Sequence, residues 1–145
     1  MLFRSFFLIQ PGGLPERLIG AESEFFLRHM LRAWSQDKEA YDPEVLAEYL
    51  RCFQNPETIR ATCAEYRAGA SIDLDHDRID RGRRAPLLVL WGQRSGQGSG
   101  YDVLAVWRDH AETVTGHGID SGHYLPEEAP EQTYRALRSF FAGTS

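Results

Sequence analysis

The sequence predicts an α/β chain in which helices are gathered ahead of a short parallel βαβα unit. Three observations predict it. Apolar stripes of helical period recur between Glu22 and Gly69 with no strand pattern among them. Two β-patterned runs, Leu87 to Gly92 and about Val114 to Asp120, flank one further helical pattern. The second run opens into Ser121-Gly122-His123-Tyr124, a histidine set in a glycine turn, and then into a proline-marked helix start.

Taken in order, Phe6 to Ile9 is apolar and ends at Gln10-Pro11-Gly12-Gly13-Leu14-Pro15, a loop by its Pro and Gly content. The first long helix is expected from about Glu22 to Ser35, because Phe26, Leu27, Met30, Leu31 and Trp34 share one face. Asp42-Pro43 is an N-cap followed by proline at the first helical position, where the missing N–H costs nothing. Val45, Leu46, Tyr49, Leu50 and Phe53 form the stripe that follows. Asn55-Pro56 repeats the signal for Ile59, Cys63 and Tyr66, up to Gly69. Asp73 to Arg84 is a charged connector and the best domain boundary. Leu87-Leu88-Val89-Leu90-Trp91-Gly92 is a continuous apolar run, as expected of a strand buried on both faces of a parallel sheet. A Gly/Ser/Gln loop follows to Gly100, and Asp102 caps a helix bearing Val103, Val106, Trp107 and His110. The last helix is expected to bury Tyr134, Leu137, Phe140 and Phe141.

Composition excludes several classes. With 145 residues, 42% hydrophobic and 26% charged, the chain reads as globular and not disordered. A net charge of −5, with arginines scattered among acids, argues against a nucleic-acid partner. Cys52 and Cys63 lie in helical patterns without C-x-x-C spacing and are read as reduced, in a cytoplasmic protein. The apolar start is interrupted by Arg4 and too short to span a bilayer, and it lacks the basic region and cleavage site of a signal peptide.

The stretch Ser121-Gly122-His123-Tyr124-Leu125-Pro126-Glu127-Glu128-Ala129-Pro130 resembles one branch of the α/β hydrolases, the haloacetate (fluoroacetate) dehalogenases. Enzymes of that fold carry a catalytic histidine after the last strand and before the last helix. The resemblance extends over nearly the whole chain, through Phe6-Phe7-Leu8-Ile9-Gln10-Pro11, Leu14-Pro15-Glu16 and Glu65-Tyr66-Arg67-Ala68-Gly69-Ala70. It implies a partial α/β-hydrolase fold. Residues 1–72 would be a helical cap region, 73–86 the connector, and 87–145 the last two parallel strands and helices of the main domain.

In that family an aspartate at a strand-to-helix elbow displaces halide from a haloacetate and forms an ester, which a histidine-activated water then cleaves. The resemblance matches His123 to the histidine, Tyr66 to a tyrosine that helps hold the departing halide, and Trp34 to a tryptophan lining the pocket. It implies no cofactor and no metal. The elbow aspartate and the acid that orients the histidine precede the cap in the family and have no counterpart in these 145 residues. A family His-Trp pair that serves the halide is replaced by Arg4-Ser5. The chain alone is therefore expected to be inactive, with a small haloacid as the family substrate. A separately supplied N-terminal half, or a second copy of the chain, is the expected protein partner; neither nucleic acid nor membrane is.

Other readings of the same residues stand beside this one. His123 in a loop is compatible with a purely structural role, and Tyr66 and Trp34 with packing inside the helical region. An epoxide hydrolase or esterase would share the cap and the histidine loop, and a non-catalytic fragment that only binds a partner would need neither. Gly118-Ile119-Asp120-Ser121-Gly122 fits Gly-x-nucleophile-x-Gly in form, but it leads into a histidine and two prolines instead of directly into a helix. Gly96, Gly98 and Gly100 lack phosphate-loop spacing. Asp73, Asp75 and Asp77 begin like a calcium loop, yet Arg78 stands where glycine is required and Arg84 where the bidentate acid belongs. His29, His76, His110 and His117 show no ligand spacing, so no metal is assigned.

Overall fold

The computed structural model describes residues 3–79, 85–96 and 100–143. The latter part of the charged connector, Gln97 to Ser99 of the Gly/Ser loop, and the side chains at the Arg4-Ser5 departure lie outside what is described. The chain divides into two compact units, Met1–Leu31 with Asp42–Ile79, and Arg32–Tyr41 with Asp80–Ser145.

The first unit is helical. It contains α1 (Phe3–Leu8), α2 (Leu14–Ala21), most of α3 (Ser23–Trp34), α4 (Pro43–Phe53), α5 (Pro56–Gly69) and α6 (Ile72–Ile79). Both proline-marked starts behave as their chemistry requires. The Asp42 carboxylate accepts from Glu44 N at 2.8 Å and the Asn55 side chain from Glu57 N at 3.0 Å, each satisfying a donor that the helix leaves open. Leu8, Ile19, Ile59 and Cys63 form the buried core, with Phe7, Phe26, Phe53 and Tyr66 packed against it. Burial pushes the Cys63 thiol above its usual range, as expected of an inert packed cysteine.

Three helices, α1, α2 and α6, go beyond what the sequence predicts. Residues 10–13 form the loop that their Pro and Gly content announces, with Gly12 and Gly13 at left-handed φ near 70°, but Leu14 and Pro15 already belong to α2. Pro15 stands in the first turn of α2, where it is tolerated, so the same residue that looked like a breaker starts a helix. The first part of the charged connector is α6, whose Ile72, Leu74 and Ile79 remain exposed.

The second unit contains β1 (Leu87–Gly92), α7 (Val103–Arg108), β2 (Val114–Ile119), α8 (Leu125–Glu128) and α9 (Pro130–Gly143). The strands pair in parallel, Leu87 opposite Val114 through Gly92 opposite Ile119. The ladder continues past the strand ends: Gln93 N donates to Ile119 O at 2.9 Å and Arg94 N to Ser121 O at 3.1 Å. β1 therefore carries the start of the histidine loop. α7 packs against β2 and α9 against β1.

Two burial expectations fail here. In β1 only Val89 and Gly92 are buried, the rest being half-buried. On α9, Tyr134, Leu137 and Phe141 are 57%, 40% and 65% exposed. The hydrophobic patterns are real, but a two-stranded sheet offers too little surface to cover them. Each exposed large apolar side chain forgoes about 1.5–3 kcal/mol, and a few such losses match the net stability of a small domain. The isolated chain is therefore expected to self-associate with rising concentration in light scattering, and a Leu137→Lys/Phe141→Lys variant to do so less. A monodisperse monomer with strongly protected amides at Leu88 to Leu90 would contradict this.

Candidate active site

His123 occupies the loop between β2 and α8, and three features fix that loop. Its first part is pressed against the end of β1, where a Cβ added to Gly92 would lie 1.7 Å from Gly122 O. Glycine at 92 is thus required by close backbone approach. Ser121 is fully buried beneath the loop. After it, Pro126 sits in the first turn of α8, and Thr133 Oγ1 donates to Leu125 O at 3.2 Å and Ala129 O at 2.9 Å, joining that turn to α9.

The fourth wall comes from Arg32–Tyr41, the excursion of the helical region that clusters with the second unit. His123 N donates to Trp34 O at 3.1 Å. The Trp34 and His123 rings meet edge to face at a centroid separation of 4.6 Å, and the Tyr124 ring meets the imidazole at 5.0 Å. Such pairs contribute roughly 0.5–1.5 kcal/mol each beyond simple burial. Tyr41 meets Tyr124 edge-on at 6.1 Å and shares a 3.1 Å hydrogen bond with the buried Ser35 hydroxyl. Burial pushes the Tyr41 phenol up to about 12, against the opposing hydrogen bond from Ser35, so it stays protonated. Lys38 Nζ donates to Arg32 O and Ser35 O and closes the end of α3.

The structure thus brings His123 and Trp34 together. Tyr66 belongs to the helical unit, half-buried against its core. Next to it, the Arg67 guanidinium donates to Glu16 Oε1 at 2.7 Å, Glu16 Oε2 at 3.0 Å and Gln10 O at 2.8 Å. That fork joins α5 to α2 and lowers the Glu16 carboxyl below its usual range. Among the described residues, no group of three His, Cys, Asp or Glu side chains gathers as a metal site would, and no helix is long and apolar enough to cross a membrane.

Sequence reasoning missed Glu128. Its Oε2 accepts from Gln36 N at 2.7 Å, Asp37 N at 3.1 Å and Gly122 N at 3.1 Å, and its Oε1 accepts from Tyr124 N at 3.1 Å. Burial alone would raise this carboxyl, but the four N–H donors outweigh it and hold the group below the usual carboxylate range. The sign for stability follows. A carboxyl depressed in the folded state contributes fully above its unfolded value, and that contribution is lost as pH falls through the folded one. Below about pH 4.3, the ordinary Glu value, the wild-type chain should lose stability more steeply than Glu128→Gln in denaturant titrations. Parallel pH profiles would show that Glu128 does not carry this dependence. At neutral pH the substitution should cost about 2 kcal/mol, the scale of a charge-assisted hydrogen bond.

No family model matches the chain. It is 33% identical to a fluoroacetate dehalogenase of Burkholderia sp over 140 residues, covering 94% of this chain and 46% of that enzyme. It is 28% identical to a soluble epoxide hydrolase of Corynebacterium sp. (strain C12), covering 90% of this chain and 47% of the enzyme. A crystal structure described as a candidate α/β hydrolase of Nostoc sp PCC 7120 superposes with a TM-score of 0.92 at 52% identity, over 96% of this chain and 48% of that one. The chain spans about half the length of each of these proteins. At 52% identity and a TM-score of 0.92 over 96% of its length, the chain adopts part of the α/β-hydrolase fold.

Proposed function

We propose that this chain is the histidine-bearing portion of a haloacetate-type dehalogenase and acts with an N-terminal portion that supplies the nucleophile. The observation that carries the reading is the presentation of His123 on a loop held by β1, Trp34 and Glu128, together with the likeness to fluoroacetate dehalogenase. In the first step an aspartate oxygen of the other portion forms a bond to the substrate carbon as the carbon–halogen bond breaks, and halide leaves with the bonding pair. In the second, His123 takes a proton from water as its oxygen attacks the ester, releasing the hydroxyacid and restoring the carboxylate. Trp34 lines the substrate side of the base, and Tyr66 takes the halide-holding role that the resemblance assigns to it. The likeness to the Corynebacterium enzyme favours a second reading, in which an epoxide is the substrate.

Two outcomes test this. The purified chain alone should release no fluoride or chloride from the haloacetates above a His123→Ala control. A base without a nucleophile has no ester to act on, and general-base help amounts to only about 10²–10⁴-fold. When the chain is joined to a family N-terminal half, wild type should turn over haloacetate, whereas His123→Asn should form the ester and fail to cleave it. Intact mass spectrometry would detect the trapped adduct. Normal turnover by His123→Asn would remove His123 from the role of base, and turnover of epoxides alone would select the second reading.

A further inference from the structure

We infer that Glu128 is a positioning residue for His123, a single carboxylate that holds the base loop and the chain after Trp34 in one register. The donors carry the argument. A glutamate that merely capped the short turn of α8 would accept from its near neighbour Tyr124 N and stop there. Glu128 instead takes Gly122 N and Tyr124 N, the amides on either side of His123. It also takes Gln36 N and Asp37 N, which follow Trp34 in the chain and lie 92 and 91 positions away. The imidazole and the indole that stands edge-on to it at 4.6 Å are therefore each anchored, one to three residues away, to the same carboxylate.

The site admits no ready substitute. A Cβ at Gly122 would meet Gln36 N at 2.5 Å and the two Glu128 oxygens at 2.8 and 2.9 Å, so donors and acceptor converge where only glycine fits. Glutamine has the right shape, but its NH2 must face an N–H on one side or the other. Aspartate is one methylene too short to span both sets. The role of this register in hydrolysis rests on the reading of His123 as the base; the register itself does not.

The test uses the full chain with Glu128→Gln, Glu128→Ala and, as control, Glu131→Gln, which removes only an exposed pair with Arg135. Hydrogen exchange should rise together at residues 33–38 and 120–126, by at least ~10-fold in Glu128→Gln, while amides of α5 keep their protection. The His123-dependent part of the tryptophan emission, taken as wild type minus His123→Ala across its titration, should fall by about half or more as the imidazole leaves Trp34. A purely local stabilising role would leave that signal intact. Unchanged exchange, a change in one segment alone, an unchanged titration signal, or loss of α5 protection in Glu128→Gln would each overturn the inference. When the chain is joined to an N-terminal half, Glu128→Gln should accumulate the ester adduct, slowing its cleavage and not its formation. If exchange and emission respond but no adduct is seen, the register stands and the reading of His123 as base fails.

Discussion

The histidine loop depends on one carboxylate. Four backbone N–H groups, drawn from two stretches remote in sequence, would otherwise need water or partners of their own. Glu128 answers all four with two oxygens. The negative charge makes each bond stronger than a neutral one would be, and the bonds in turn keep the charge. The aromatic contacts among Trp34, His123, Tyr124 and Tyr41 then have a fixed frame to pack in.

Much of the architecture was legible because it rests on local chemistry. Asp42-Pro43, Asn55-Pro56 and Asp102 announce helix starts, and each does cap the helix it precedes. The apolar run at Leu87 and the β-branched run near Val114 pair as parallel strands. What was not legible depends on context. Pro15 marks both a break and a helix start, and the choice is made by Ile19 reaching the core. The exposure of Tyr134, Leu137 and Phe141 follows from the extent of the sheet, which no pattern within α9 encodes.

The site divides in the same way. His123 stands out in the sequence by its glycine turn and the proline-marked helix after it. Its contact with Trp34 joins residues 89 positions apart, a pairing that no spacing rule supplies. Glu128 was visible only as one acid of a Pro-Glu-Glu helix start, where an acid in the first turn is ordinary. Its donors lie on other segments. The Glu16–Arg67 fork is a parallel case: it ties together Leu14-Pro15-Glu16 and Glu65-Tyr66-Arg67, two stretches that the family resemblance had marked separately.

The meeting of Gly92 with the loop at Gly122 bears on how this protein can vary. Where a large side chain crowds a neighbour, a second change can usually shrink the neighbour and restore the fit. At this crossing the obstruction is backbone oxygen, and the residue that owns it is already glycine. No compensating truncation exists. A variant with any side chain at position 92 has to shift the loop itself, and with it the histidine one residue further on, so variation at the end of β1 is felt first as a change in where the imidazole points.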